Sequence, residues 1–248
     1  MRSLFLSYVR SITPGKPKLI CIHHAGGGAS AYISWQEKFG DSIDVLPVQL
    51  PGRENRISEP LIRDMDEAAT KIADDIIPFI RGCRFAVFGH SMGGLIAFEL
   101  ACELEKRGLY PECCFISASA FDEYIESEKS KYLSDEDFIR RVELYEAVSE
   151  GSGIFEYPEI RDVYINILRA DFDLVEDHVY DGKKVSCPVY AFCGDSDKEE
   201  SIENMHSWES STEKYVEYRS FSGNHFYLDS NLELITKLIS ESMKKNGK

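Results

Sequence analysis

The sequence predicts an α/β fold, with a mostly parallel sheet and helices on both faces. Three observations carry that expectation. Short apolar runs of strand length recur along the chain, segments of helical periodicity separate them, and turns rich in glycine or proline stop several of the runs. The 248 residues suffice for one such domain, expected to span 1–248.

The elements follow in order. Lys18–His23 is a buried strand that runs into the turn Ala25-Gly26-Gly27-Gly28, and Ile43–Leu50 is a second strand, stopped by Pro51-Gly52. Asp64–Ile80 carries apolar residues at Met65, Ala68, Ala69, Ile72, Ile76 and Phe79, which is helical spacing. Phe85–Phe88 is a strand, and Met92–Arg107 is a helix closed by Gly108. Strands are expected at Cys113–Ala118, Val189–Cys193 and Tyr215–Phe221, a short helix at Glu200–Trp208, and a last helix from about Leu232 to Met243. Phe121 to about Lys184 breaks this rhythm. It holds a helix start at Ser134-Asp135-Glu136-Asp137 with periodicity through Phe138, Val142 and Tyr145, and a second helix from near Pro158 through Tyr164, Ile167, Leu168 and Phe172. We read it as a helical insertion over one end of the sheet, where a lid would sit; two ordinary crossover helices are the alternative.

Charge and cysteine content exclude several classes. A net charge of −15 disfavours nucleic acid and anionic membrane surfaces, both of which call for a basic footprint. The seven cysteines include no Cys-x-x-Cys pair, so zinc and dithiol chemistry have no foothold. The apolar patch Leu4–Val9 is too short for a signal-peptide core, and no apolar run is long enough to span a bilayer. The expectation is a reduced, cytoplasmic protein, a monomer by default, with no cofactor or metal.

Chemistry enters at Gly89-His90-Ser91-Met92-Gly93. A Gly-x-Ser-x-Gly match is weak alone, but here a strand runs directly into it and a helix leaves it, the setting of the nucleophile elbow in α/β-hydrolases. Ser91 is the expected nucleophile, and it needs a base to take its proton. In that fold the partners follow in the order serine, acid, histidine. His225 lies in a loop just after the last strand and is preferred to His206, which falls within an expected helix. The acid should lie in Gly194-Asp195-Ser196-Asp197, where pattern alone leaves Asp195 and Asp197 open. The backbone amide of Met92 and one from the Ala25–Gly28 turn are the expected oxyanion donors.

Together these residues resemble the type II thioesterases that accompany nonribosomal peptide and polyketide synthases. The matching pieces are His24-Ala25-Gly26-Gly27, Leu50-Pro51-Gly52-Arg53-Glu54 with Arg56 and Glu59-Pro60, Gly89-His90-Ser91-Met92-Gly93-Gly94, Pro188 with its strand to Gly194-Asp195-Ser196-Asp197, and Gly223-Asn224-His225-Phe226. The chain departs from that pattern at Ile22-His23-His24, where relatives often carry proline, and at Asn224, where glycine is common. The resemblance implies the α/β-hydrolase fold, a triad of Ser91, Asp197 and His225, and an oxyanion hole from the Ala25 and Met92 amides. It selects Asp197 over Asp195. It further implies that Phe121–Lys184 forms a mobile helical lid, that the substrate is an acyl group on the phosphopantetheine arm of a carrier protein, and that the task is editing of misprimed or stalled synthases. Carrier proteins are usually acidic, so docking on this acidic chain would need a local basic or apolar patch. The alternative activities are a general carboxylesterase and a medium-chain acyl-carrier thioesterase of fatty acid synthesis. A binding module that keeps the fold without catalysis is a third possibility.

Overall fold

A computed structural model describes residues 3–121, 129–144, 155 and 157–247. Six strands form one sheet in the order β2-β1-β3-β4-β5-β6: β1 (Lys18–Ile22), β2 (Asp44–Val48), β3 (Phe85–His90), β4 (Cys114–Ser117), β5 (Val189–Gly194) and β6 (Val216–Phe221). Every neighbouring pair of these strands is parallel. The first five strands are buried throughout, as strands covered on both faces must be, whereas the edge strand β6 is only partly covered and carries Glu217 and Arg219. Pro47 is accommodated because β2 is the other edge, where a missing N–H breaks no central ladder.

The alternation of side chains along β1 assigns the two faces. Leu19 and Cys21, with Val45, Phe88 and Phe115, pack against α1 (Trp35–Phe39) and α7 (Leu232–Asn246). Ile20 and Ile22, with Leu46, Val48 and Val87, pack against α2 (Met65–Ile80) and α3 (Met92–Lys106). Each such aliphatic side chain contributes about 1.5–3 kcal/mol on full burial. Asp64 caps α2 by accepting the Glu67 N–H at 2.8 Å, so the helix begins one residue after the expected Asp64.

Between β4 and β5 lie α4 (Asp135–Leu144) and α5 (Pro158–Glu176), which share a small core of Phe138, Val142, Ile165 and Leu168. The remainder of the expected insertion, 122–128, 145–154 and 156, falls outside the described residues, and Tyr145 with it. The helix expected over Glu200–Trp208 is shorter. It forms one turn, α6 (Ile202–Met205), capped by the Ser201 hydroxyl, and continues as a 3-10 turn over His206–Ser210. Trp208 is fully buried there and donates to the Ser119 carbonyl at 2.6 Å, so tertiary packing governs this segment.

The strand order fixes where a ligand can bind. The chain leaves β1 for β2 on one side and returns for β3 on the other, so the crevice beyond the carboxyl ends of β1 and β3 is the topological switch point. The two segments that emerge there are the Ala25–Gly28 turn and the bend at Ser91.

Candidate active site

Ser91 occupies the single-residue bend between β3 and α3 with φ 54° and ψ −127°, a left-handed conformation that costs a non-glycine residue about 1–3 kcal/mol. Its N–H donates to the Ser117 carbonyl at 2.7 Å, and its own carbonyl accepts from the Gly94 N–H at 2.7 Å. The flanking glycines are required by backbone proximity. A Cβ on Gly89 would stand 1.8 Å from the Gly93 carbonyl oxygen, and one on Gly93 would stand 2.3 Å from that of Ile22. Only glycine at both positions lets α3 leave the strand so abruptly while lying against β1.

His225 follows β6 in the Gly223-Asn224 loop and is 5% exposed. Its Nδ1 stands 2.8 Å from Asp197 Oδ2. The Asp197 side chain has no exposed surface, and its Oδ1 accepts from the amides of Glu199 and Glu200 at 3.0 and 3.1 Å. Burial alone raises the Asp197 carboxyl pKa. The His225 hydrogen bond and charge, with the two amides, more than offset this and hold it below its ordinary value. Asp195 is placed differently. It is exposed and accepts from the Gly223 N–H and the Ser196 hydroxyl, each at 3.0 Å. His206 is also exposed, pairs with Glu209 at 3.0 Å and does not border the cavity that holds Ser91.

That cavity brings Ser91, His225, Ala25 and Met92 together. Much of the remaining wall is apolar: Leu95 of α3, Val142 of α4, and Leu168, Phe172 and Val175 of α5. Met92 opens α3, so its N–H has no acceptor within the helix and lies at the positive end of the helix dipole. The neighbouring turn is differently engaged. Gly26 donates its N–H to Asp171 Oδ2 at 2.7 Å.

Sequence reasoning gave no definite role to His90 or His24 and missed Ser117 and Tyr227 beneath this arrangement. His90 is fully buried, its Nδ1 2.9 Å from the Ser117 hydroxyl, which is in turn 2.5 Å from the Tyr227 hydroxyl. Its ring centroid lies 5.3 Å from that of His225. Burial, then the His225 and His24 charges, keeps the His90 pKa well below the usual imidazole value. His24 borders the cavity, and burial, then the charges of His225 and Arg53, bring its pKa down to about 4. Among the described residues no group of three or more His, Cys, Asp or Glu is arranged to hold a metal, and no helix is long and apolar enough to cross a membrane.

Comparison with known proteins agrees with this architecture. The family model for the thioesterase domain matches residues 17–243. The chain is 34% identical over 225 residues to the gramicidin S biosynthesis protein GrsT of Aneurinibacillus migulanus, covering 89% of this chain and 86% of that one. It is 30% identical to the medium-chain S-acyl fatty acid synthase thioesterase of Rattus norvegicus, over 85% of this chain and 81% of the relative. Among solved structures, the type II thioesterase BorB from the borrelidin biosynthetic cluster superposes with a TM-score of 0.86 at 30% identity, covering 98% of this chain and 99% of that one. A match running from the first strand into the last helix makes this chain a member of the thioesterase domain family, a thioester hydrolase with the α/β-hydrolase fold.

Proposed function

We propose that the protein is a type II thioesterase that hydrolyses acyl groups from the phosphopantetheine arm of carrier proteins, clearing misprimed or stalled nonribosomal peptide or polyketide synthases. The observation that carries this reading is the convergence of Ser91 and the His225–Asp197 pair on one cavity whose wall is otherwise largely apolar, as an acyl chain requires. The likeness to GrsT, named for gramicidin S biosynthesis, and to BorB, a type II thioesterase from the borrelidin biosynthetic cluster, supports it.

The geometry supports the following chemistry. A carboxylate at His225 Nδ1 keeps the proton on that nitrogen, leaving Nε2 to accept the Ser91 hydroxyl proton. Ser91 Oγ attacks the thioester carbonyl, and the developing oxyanion takes hydrogen bonds from the Ala25 and Met92 amides. The imidazolium returns its proton to the departing pantetheine thiol, and water, deprotonated by the same imidazole, releases the acid from the acyl-enzyme. Neither step calls for a cofactor or metal. Within the expected insertion α4 and α5 serve as the lid, since Val142, Leu168, Phe172 and Val175 form the acyl side of the cavity.

The test is incubation with a panel of acylated carrier proteins and simple oxygen esters, followed by mass spectrometry. Removal of varied short acyl groups from carriers supports the reading, and a strong preference for oxygen esters contradicts it. The likeness to the rat enzyme favours a second reading, release of medium-chain fatty acids. Hydrolysis confined to carriers bearing one band of fatty acyl lengths would select that reading instead.

A further inference from the structure

The Pro51-Gly52-Arg53-Glu54 stretch contributes no group to the chemistry above, yet Arg53 is only 4% exposed. Its guanidinium makes a two-pronged contact with Asp171 of α5, Nη1 to Oδ2 at 2.6 Å and Nη2 to Oδ1 at 2.7 Å. The Asp171 side chain has no exposed surface. Asp171 Oδ2 also accepts the Gly26 N–H at 2.7 Å, and Arg53 Nη1 reaches the Gly27 carbonyl at 3.4 Å. One carboxylate from the lid helix and one guanidinium from the loop after β2 therefore hold the turn that carries Ala25.

Neighbouring contacts converge on the same turn. Gly26 has φ 74°, and a Cβ there would stand 2.6 Å from the Tyr164 hydroxyl and 2.8 Å from Leu168 Cδ2, so α5 lies directly on its backbone. Ser30 Oγ donates to Glu54 Oε1 at 2.5 Å, and the Ala29 N–H donates to Gln49 Oε1 at 3.0 Å. The turn is thus gripped by 49–54 from below and by α5 from above.

We propose that Asp171, clamped by Arg53, is a positioning residue: by fixing the Gly26 peptide it aims the adjacent Ala25 N–H into the cavity, so that the oxyanion site is complete only when α5 is seated. An ion pair this buried is weak evidence for stability, because desolvation offsets most of its Coulombic gain. Its geometry is better explained by what it orients. Seating of the lid and assembly of the oxyanion donors then become one event, which suppresses hydrolysis while the cavity is open to water. The inference rests on the reading of Ala25 as an oxyanion donor.

The experiment compares three variants with the wild-type enzyme on one acyl-carrier substrate. Arg53→Met with Asp171→Leu replaces the buried pair by apolar side chains and removes the acceptor for the Gly26 N–H. Arg53→Met with Asp171→Asn removes both charges but keeps an amide oxygen there. Arg53→Lys is the conservative variant and retains the charge pair without the fork. The first should lose about tenfold to a hundredfold in kcat with KM little changed, below the 10²–10³ that outright loss of a donor costs. The second should recover much of that loss, and Arg53→Lys should show a smaller fall in kcat alone. Equal kcat losses in the two double variants would overturn the proposal, as would an unchanged kcat in Arg53→Lys should the double variants not fold. Fluorophosphonate labelling of the wild type separates the two levels of the account. If the wild type labels at Ser91 but the Leu-containing double variant labels just as fast, only this inference fails. If the wild type does not label at Ser91, the reading of the site itself fails.

Discussion

His225 Nδ1 stands 2.8 Å from Oδ2 of Asp197, while the second nearby carboxylate, Asp195, faces solvent and binds the Gly223 amide. Two aspartates two residues apart thus differ completely in surroundings. Asp197→Asn is expected to lower kcat about 10⁴-fold, because an amide at Nδ1 favours the wrong imidazole tautomer. Asp195→Asn retains an acceptor for Gly223 and should leave turnover within a few-fold of wild type. Steady-state kinetics on an acyl-carrier substrate decide between the two residues.

The bend at Ser91 stores strain that glycine would release. Ser91→Gly should abolish hydrolysis and raise stability by about 1 kcal/mol, since φ 54° is penalised for any residue with a Cβ. For a chain of this size that corresponds to about 2–4 °C in Tm. A thermal melt beside the wild type reads it, and a fall in Tm would contradict a strained elbow.

Acid should weaken the fold earlier than carboxylates alone would dictate. His23, His24 and His90 all have pKa values depressed chiefly by burial, His24 to about 4. Between the ordinary value of 6.5 and those depressed values the unfolded chain binds protons that the native chain does not. Stability is therefore full above about pH 6.5 and declines as pH falls, by up to about 1.4 kcal/mol per pH unit for each such group. Asp197 adds its own loss only at lower pH, as its depressed native value is approached. Urea midpoints at pH 7.5 and pH 5 check this; equal midpoints would contradict it.

The apolar wall should set acyl length. Phe172→Ala enlarges the cavity on the α5 side and should raise the ratio of kcat/KM for a ten-carbon over a two-carbon acyl carrier by about tenfold. Paired assays on the two substrates measure it directly.

The sheet, its helices and the Ser91 bend were legible in the sequence because their signals are local: apolar runs, helical spacing and a glycine on each side of one serine. The choice between Asp195 and Asp197 was not readable from pattern, since burial and the distant loop of His225 distinguish them. Asp171 carried no signal at all. It reads as one more charge on a charged helix, and its guanidinium partner lies 118 residues away. The Glu200–Trp208 helix was overextended because the pull of Trp208 into the core is invisible to local propensity.

The most direct test is rapid quenching of the enzyme with an acylated carrier protein, followed by mass spectrometry of the peptide that contains residue 91. A transient acyl mass on Ser91 is expected, preceding release of the free acid and absent, with turnover, in Ser91→Ala. Free acid formed without any adduct at that residue, and at an undiminished rate in Ser91→Ala, would contradict it.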